Sequence, residues 1–203
     1  MFKLFRKYTE EDILTKFVSP QDRVLVIGPM GEYGKDLTLP ILLEKIKNKN
    51  LTIIDIKASG IGEAYAVVGD LSLTKETIKK ISTGTIKYVM SDAKIQAFKG
   101  ETFDIIIDRI THEFMILFAP FDKHSQEDAD KLIFEYNRVL KKNGKIIFFS
   151  SKRHIQRKLI NLLEVWGYNI VKGKLKGVQD LEIGGRTYRS IHVTYYYIVA
   201  IKL

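Results

Sequence analysis

Apolar runs as long as a β-strand alternate along the chain with amphipathic stretches as long as a helix, and this alternation limits the fold more than any other feature. Runs rich in Ile, Val and Phe are typical of strands buried on both faces of a parallel sheet. Strands joined by helices form βαβ units, so the sequence predicts an α/β protein. The predicted strands are residues 23–28, 51–57, 64–70, 87–93, 103–109 and 145–150, then two strands around a Gly184-Gly185 turn, the last being 193–201.

Local signals mark where the helices begin and end. Thr9 and Asp12 have the spacing of a capping box, and the same spacing recurs at Ser125 and Asp128. Asn143-Gly144 is a typical stop signal. The predicted helices are residues 9–18, 38–47, 74–82, 125–142 and 152–166.

Composition excludes several classes of function. Cysteine is absent from the 203 residues, which excludes thiolate nucleophiles, iron–sulfur clusters, zinc–thiolate sites and disulfides. The four histidines lack metal-ligand spacing, so we expect no metal site. The longest apolar stretch, residues 114–121, is far shorter than the roughly 20 residues that span a bilayer, and the opening residues turn acidic too early for a signal peptide. We therefore expect a soluble, cytoplasmic protein without a membrane partner, while its oligomeric state stays open.

Positive charge is concentrated in the last third of the chain. The net charge is +9, and residues 141–203 hold 13 basic and 3 acidic side chains. This pattern predicts a surface for RNA or another acidic substrate, and solubilising surface charge is the alternative. Tyr195 to Tyr197 could stack on bases, but core packing is the favoured alternative. The clustered basic residues are Lys152, Arg153, Arg157 and Lys158 in a predicted helix and Lys172, Lys174 and Lys176 on one face of a predicted strand.

The ends of the predicted strands carry candidate ligand-binding residues, because ligands of open parallel sheets bind at the carboxyl ends of the strands. The first strand leads into a loop with glycine at every third position, Gly28, Gly31 and Gly34. Without a Cβ, such a backbone can lie against a ligand. The spacing differs from the dinucleotide fingerprint G-x-G-x-x-G, and a tight strand-to-helix turn is the alternative.

Carboxylates lie at the ends of later strands. Asp55 could accept two hydrogen bonds from ribose hydroxyls, which suits an adenosine-containing ligand. Asp92 could accept a hydrogen bond from an adenine amine, with Asp70 as its rival. Asp108 could act as a general base or orient the reacting group, and His112 could act as a base near neutral pH. A turn-capping aspartate and a structural histidine are the alternatives for this last pair.

Together these segments resemble the class I S-adenosylmethionine (SAM) dependent methyltransferases. VLVIGPMGEYG (24–34) looks like the glycine-rich first motif, and LTIIDIK (51–57) looks like the second-strand acid motif. Residues 87–109 are similar to the third and fourth strands, and EYNRVLKKNGKIIFF (135–149) is similar to the following helix end and fifth strand. The resemblance covers about residues 23–150. It implies a three-layer Rossmann-like fold whose seven-stranded, mostly parallel sheet has the order 3-2-1-4-5-7-6 with an antiparallel last strand.

The resemblance also implies how the chain binds SAM as its cofactor. The glycine-rich loop would lie near the methionine part, Asp55 at the ribose, and Asp92 with Ala93 at the adenine. The implied cofactor-binding residues are Gly28, Pro29, Met30, Gly31, Gly34, Asp55, Ile56, Asp92 and Ala93.

Residues and motifs that the sequence lacks reduce the range of possible methyl acceptors. A pyrimidine C5-methyltransferase needs a cysteine, and the N-P-P-Y-type loop used for planar amines is absent after the fourth strand. RNA ribose 2′-O-methyltransferases use a Lys-Asp-Lys-Glu tetrad, to which Lys16, Asp108 and Lys152 would contribute, although the final strand offers no Glu. The predicted catalytic residues are Asp108, His112 and Lys152.

One domain accounts for the chain, with an N-terminal helical extension (1–22), a cofactor-binding core (23–150) and a basic C-terminal helix and strand pair (151–203). We predict methyl transfer from SAM to an oxygen or nitrogen of RNA or of a small molecule. One alternative is a catalytically inactive methyltransferase-like protein that binds nucleic acid. Another is an NAD-dependent oxidoreductase, in which Asp55 would bind the ribose of NAD.

Overall fold

The computed structural model describes residues 9–27, 38–46, 50–55, 87–90, 98–108, 123–150, 153–183 and 186–203. The helices in these residues are α1 (Glu10–Phe17), α2 (Thr38–Lys45), α3 (Lys123–Val139) and α4 (Arg153–Val165). The strands are β1 (Val24–Ile27), β2 (Leu51–Asp55), β3 (Lys87–Met90), β4 (Phe103–Asp108), β5 (Leu140–Ser150), β6 (Asn169–Ile183) and β7 (Arg186–Ile201). The predicted strand at 64–70 and the predicted helix at 74–82 lie outside the described residues.

These strands form one sheet in the order β3-β2-β1-β4-β5-β7-β6. The central strand β1 pairs in parallel with β2 and β4, and the pairs β2–β3 and β4–β5 are also parallel. The last strand, β7, is antiparallel to both of its neighbours, β5 and β6. The predicted α/β class, strand order and antiparallel last strand are confirmed.

Helices cover both faces of the sheet, which gives the predicted three layers. Leu132 of α3 and Leu159 of α4 belong to the same buried cluster as Ile106 of β4. Leu14 of α1 belongs to a second cluster on the opposite face, together with Ile105. Adjacent residues of β4 thus point into different cores, and an uninterrupted apolar run is what a strand buried on both faces requires.

Helix α3 ends earlier than the sequence predicts. The stop signal at Asn143-Gly144 predicts a helix to residue 142, but α3 ends at Val139 and Leu140 already pairs with Phe103 of β4. Asn143 has a φ of 61°, a left-handed turn conformation that asparagine tolerates. The signal is therefore real, but it marks a turn that follows the helix and not the end of the helix itself.

Gly144 lies in this turn, where there is no room for a side chain. A Cβ at this position would lie 2.7 Å from Leu140 Cγ and 2.8 Å from the carbonyl oxygen of Lys141. We expect Gly144→Ala to lower the free energy of unfolding by about 1–3 kcal/mol, as overpacking does, and Tm by roughly 2–12 °C in thermal denaturation. Lys142→Ala, an exposed change in the same turn, is the control. An equal loss in both variants would contradict the steric explanation.

Strands β6 and β7 continue beyond the other strands as a two-stranded arm. The β5–β7 pairing reaches Ser150, which is the register partner of Tyr196. Beyond this point residues 175–183 of β6 and 186–195 of β7 pair with each other. At about 3.3 Å per residue the arm is on the order of 30 Å long. It extends past the carboxyl ends of the parallel strands, and it confirms the predicted terminal strand pair.

Candidate active site

The order of the strands reverses beside β1. From β1 the chain builds the sheet outwards to β3 on one side, and from β4 it builds the other side. In open α/β sheets such a reversal creates a crevice at the carboxyl ends of the two central strands, where ligands bind. Ile27 ends β1 and Asp108 ends β4, and these two residues are register partners. The geometry of the sheet therefore locates the candidate site next to Asp108.

Asp108 is fully buried and hydrogen-bonded. Its Oδ2 accepts a hydrogen bond of 2.7 Å from the hydroxyl of Tyr136 on α3. The ring of Tyr136 is also fully buried, and its centroid lies 6.4 Å from that of Phe148, the β5 register partner of Asp108. The carboxyl group therefore points towards the face of the sheet that α3 and α4 cover.

Tyr136 is the functional candidate that the sequence analysis missed. Burial raises the pKa of Tyr136 well above its usual value, and the charge of Asp108 and the hydrogen bond to it raise this pKa further. The phenol therefore stays protonated near neutral pH and acts as a donor. The sequence did contain a signal for this contact. Tyr136 shares one stripe of the helix with the apolar residues Leu132 and Val139, which predicts that its ring is buried. A buried tyrosine hydroxyl usually needs a polar partner.

Asp55 ends β2 on the other side of β1. The residue before it, Ile54, is the register partner of Ile27, and Asp55 itself pairs with Met90 of β3. Asp55 therefore stands directly beyond the last β1–β2 pair, beside the point where β1 leads into the glycine-rich loop.

Most other predicted site residues cannot be placed in this way. Lys16 lies on α1, whose buried residues join the cluster on the sheet face opposite to Tyr136 and the Asp108 carboxyl group. The ammonium of Lys16 lies 5.1 Å from the ring centroid of Phe17. Lys16 is exposed on this helix, and its part in a tetrad with Asp108 stays a prediction. The predicted site residues outside the described part of the chain are Gly28, Pro29, Met30, Gly31, Gly34, Ile56, Asp92, Ala93, His112 and Lys152, together with the rival Asp70.

Five exposed basic side chains lie on α4 and β6, and we name them the basic face: Arg153, Arg157, Lys158, Lys172 and Lys174. None of them forms an ion pair with another described residue. Helix α4 begins shortly after β5 ends at the carboxyl edge of the sheet, and the β6 register partner of Tyr196 at this edge is Lys174. The basic face therefore begins at the edge that holds the candidate site.

Three further observations limit what the chain can bind or span. Tyr197 is buried in the core, so the core-packing alternative is confirmed for this residue. Within the described ranges, no three His, Asp or Glu side chains are grouped so that they could hold a metal ion. Among the helices of the same ranges, none combines the length and apolar character needed to cross a membrane.

The family of the chain follows from its sequence. The sequence model of a family described as a methyltransferase domain matches residues 34–148, which is more than half of the chain. The chain belongs to this family. It is a class I SAM-dependent methyltransferase, and S-adenosylmethionine is the cofactor that membership implies. No curated protein matches the sequence.

Solved structures of methyltransferases share the fold. A SAM-dependent methyltransferase from Methanosarcina mazei is 14% identical, with a TM-score of 0.54 over 94% of this chain and 97% of that chain. One from Aquifex aeolicus is 14% identical, with a TM-score of 0.58 over 96% and 90%. Precorrin-6y C5,15-methyltransferase from Geobacter metallireducens is 15% identical, with a TM-score of 0.61 over 94% and 84%. Because the sequence identities are this low, these comparisons establish a shared fold and nothing about the substrate.

The described end of the sheet fits this cofactor. A carboxylate at the end of β2, beside the reversal of strand order, has the chemistry to accept hydrogen bonds from the two hydroxyls of a ribose. The register of β1, β2 and β3 provides that position with Asp55. Neither the oxidoreductase alternative nor the inactive nucleic-acid-binding alternative is favoured by the family match.

Proposed function

We propose that this methyltransferase acts on an oxygen or nitrogen atom of RNA and that the basic face binds the RNA backbone. The observation that carries the proposal is the set of five exposed basic side chains without an ion-pair partner among the described residues. Cations that are not neutralised by nearby carboxylates attract a polyanion and release its counterions. Because the basic face begins at the carboxyl edge, a bound RNA strand would pass close to the cofactor.

The arm supports the same proposal. Lys176 pairs with Thr194, so it continues the alternation of Lys172 and Lys174 along β6 beyond the edge of the sheet. Arg186 begins the returning strand. The run of Lys172, Lys174 and Lys176 can contact phosphates of a single strand, which is how proteins bind single-stranded nucleic acid without reading its sequence. The rest of the arm carries both signs of charge, because Asp180 and Glu182 accompany Arg186 and Arg189.

The residues of the site divide the chemistry between them. SAM supplies the electrophilic methyl group when it is bound, and the chain must align the acceptor with that group and dispose of a proton. We assign cofactor binding to the predicted residues of the glycine-rich loop and to Asp55, Ile56, Asp92 and Ala93. The burial of Asp108 and its bond to Tyr136 favour an orienting role over direct proton transfer. We assign contact with the acceptor to His112 and Lys152.

Combined replacement of Arg153, Arg157 and Lys158 by glutamine should weaken RNA binding and make it less sensitive to salt. If each side chain contacts one phosphate, the slope of log affinity against log salt should become shallower by about 2 for a single strand. Fluorescence anisotropy of a short labelled RNA over a series of salt concentrations measures both effects. The matched control replaces three exposed lysines outside the basic face by glutamine: Lys99, Lys131 and Lys142.

An equal loss of affinity in both triple variants would mean that only net charge matters, which would contradict a defined RNA-binding face. No binding of RNA by the wild-type protein would favour a small-molecule acceptor instead. That second candidate is supported by the precorrin methyltransferase among the structures that share the fold. Transfer of labelled methyl groups from SAM to RNA or to small hydroxylated molecules would then separate the two candidates.

A further inference from the structure

A small cleft lies at the amino edge of the sheet, opposite the edge that holds the candidate active site. Its volume is about 130 Å³, enough for about four water molecules at the density of the liquid. The polar residues that line it are Arg23, Asn50, Thr52, Lys87 and Thr102.

The strand register brings these side chains together. Leu25 pairs with Thr52 and Thr52 pairs with Lys87, so β1, β2 and β3 begin at nearly the same level. Register partners on parallel strands point to the same face, and so do residues two positions apart on one strand. Arg23 and Thr52 therefore lie on the α3–α4 face of the sheet.

The cleft carries two positive charges. Lys87 and Arg23 form no ion pair within the described part of the chain, and the Lys87 ammonium lies 5.4 Å from the ring centroid of Phe98. The neighbouring carboxylate of Asp104 does not line the cleft. It accepts hydrogen bonds from the Lys141 ammonium at 2.7 Å and from the backbone N–H of Arg23 at 2.9 Å. The Asp104 carboxylate also attracts the Arg23 guanidinium, so the positive charge most open to a ligand is that of Lys87.

Thr52 provides the second, independent observation. Its side chain lines the cleft and the residue is only 7% exposed, yet its hydroxyl has no hydrogen-bond partner among the described residues. A buried hydroxyl without a partner costs about 1–3 kcal/mol, so such groups are uncommon unless a ligand or water satisfies them. The Asn50 amide, whose contact with the Gln21 carbonyl oxygen is a long 3.4 Å, is a further donor.

We propose that this cleft binds a single phosphate group, either as free phosphate or on a phosphorylated small molecule. A guanidinium, an ammonium, a hydroxyl and an amide are the donors that an oxyanion needs, and the two cations attract a phosphate anion. The cleft opens on the edge of the sheet opposite the candidate active site. The proposal therefore does not depend on the assignment of the methyl acceptor.

The test is calorimetric titration of the full chain with inorganic phosphate and, in parallel, with ribose 5-phosphate, at low salt and with S-adenosylhomocysteine saturating the cofactor site. Arg23→Gln combined with Lys87→Gln should weaken phosphate binding by about tenfold or more, because it removes both charge-assisted interactions. Thr52→Val keeps the shape of the side chain and should weaken binding by about threefold to tenfold through the lost hydroxyl. The matched control, Lys131→Gln with Lys142→Gln, removes the same charge from exposed positions outside both the cleft and the basic face and should leave binding unchanged.

Comparison of the two titrants identifies the source of the phosphate. Tighter binding of ribose 5-phosphate would support a phosphorylated small molecule, and equal binding would support free phosphate. The proposal is overturned if the wild-type chain binds neither titrant. It is also overturned if Thr52→Val and the Arg23/Lys87 variant bind as well as the wild type, or if the control loses as much affinity as the Arg23/Lys87 variant.

Discussion

Asp55→Ala is expected to abolish binding of S-adenosylhomocysteine and to leave the fold intact. Hydrogen bonds to a charged group contribute about 1.5–3 kcal/mol each, so the loss of two ribose contacts should raise Kd by more than about a hundredfold. The backbone of Asp55 pairs with Met90 at the end of β2, and an alanine can maintain that pairing. Isothermal titration calorimetry measures the affinity, and circular dichroism tests the fold.

Two further variants sharpen this experiment. Asp130→Ala removes a carboxylate from an exposed position on α3 and should bind the ligand normally. Asp55→Asn keeps the shape and one acceptor oxygen, so its Kd should lie between those of the wild type and Asp55→Ala. Normal affinity in Asp55→Ala would sink the assignment of the ribose contact, while the membership of the chain in the methyltransferase family would stand.

Tyr136→Phe is expected to destabilise the protein more than other tyrosine-to-phenylalanine changes in the core. The substitution removes the hydroxyl that donates to Asp108 at 2.7 Å, in a place where both residues are fully buried. The loss of a donor to a buried charge should cost about 2–3 kcal/mol, which corresponds to a fall in Tm of roughly 4–12 °C. Denaturant unfolding and thermal scans measure the two quantities.

Tyr168→Phe is the matched control for this change. Its hydroxyl donates to the neutral amide oxygen of Asn137 at 3.2 Å, so its loss should cost only about 0.5–1.5 kcal/mol. A double-mutant cycle of Tyr136→Phe with Asp108→Asn should show a coupling of about 1 kcal/mol or more, as expected for residues in contact. Equal effects of the two tyrosine changes, or additive effects in the cycle, would rule out a special role of the Tyr136–Asp108 bond.

The strands of the parallel sheet could be predicted because their signal is local. The side chains of Ile105, Ile106 and Ile107 each point into one of the two cores, so all three residues must be apolar. That uninterrupted apolar run is visible in the sequence. The strand order came from the resemblance of the motifs in their sequence, and the structure has the same order. Asp108 could be singled out because a carboxylate at the end of an apolar run stands out.

The contacts of the site could not be predicted because they depend on how distant segments pack. Tyr136 and Asp108 lie on different elements that are distant in sequence. Their hydrogen bond and the direction of the Asp108 carboxyl group depend on how α3 packs on β4, which the local sequence does not reveal. The same holds for Lys16, whose helix packs on the opposite face. The predicted end of α3 was wrong because Asn143 marks a turn that comes several residues after the helix. The helix ends earlier because Leu140 pairs with Phe103 of β4, and such a tertiary contact is not visible in the local sequence.

The position of β7 has a consequence for how the chain can be synthesised. Strand β7 lies between β5 and β6 in the sheet, yet it follows both of them in the sequence. Until the ribosome has released β7, the growing chain therefore presents an unpaired β5 edge whose residues include Ile146, Ile147 and Phe148. Unpaired apolar edges pair readily with other chains. The nascent protein should thus be most prone to aggregation, and most dependent on chaperones, just before its final strand emerges.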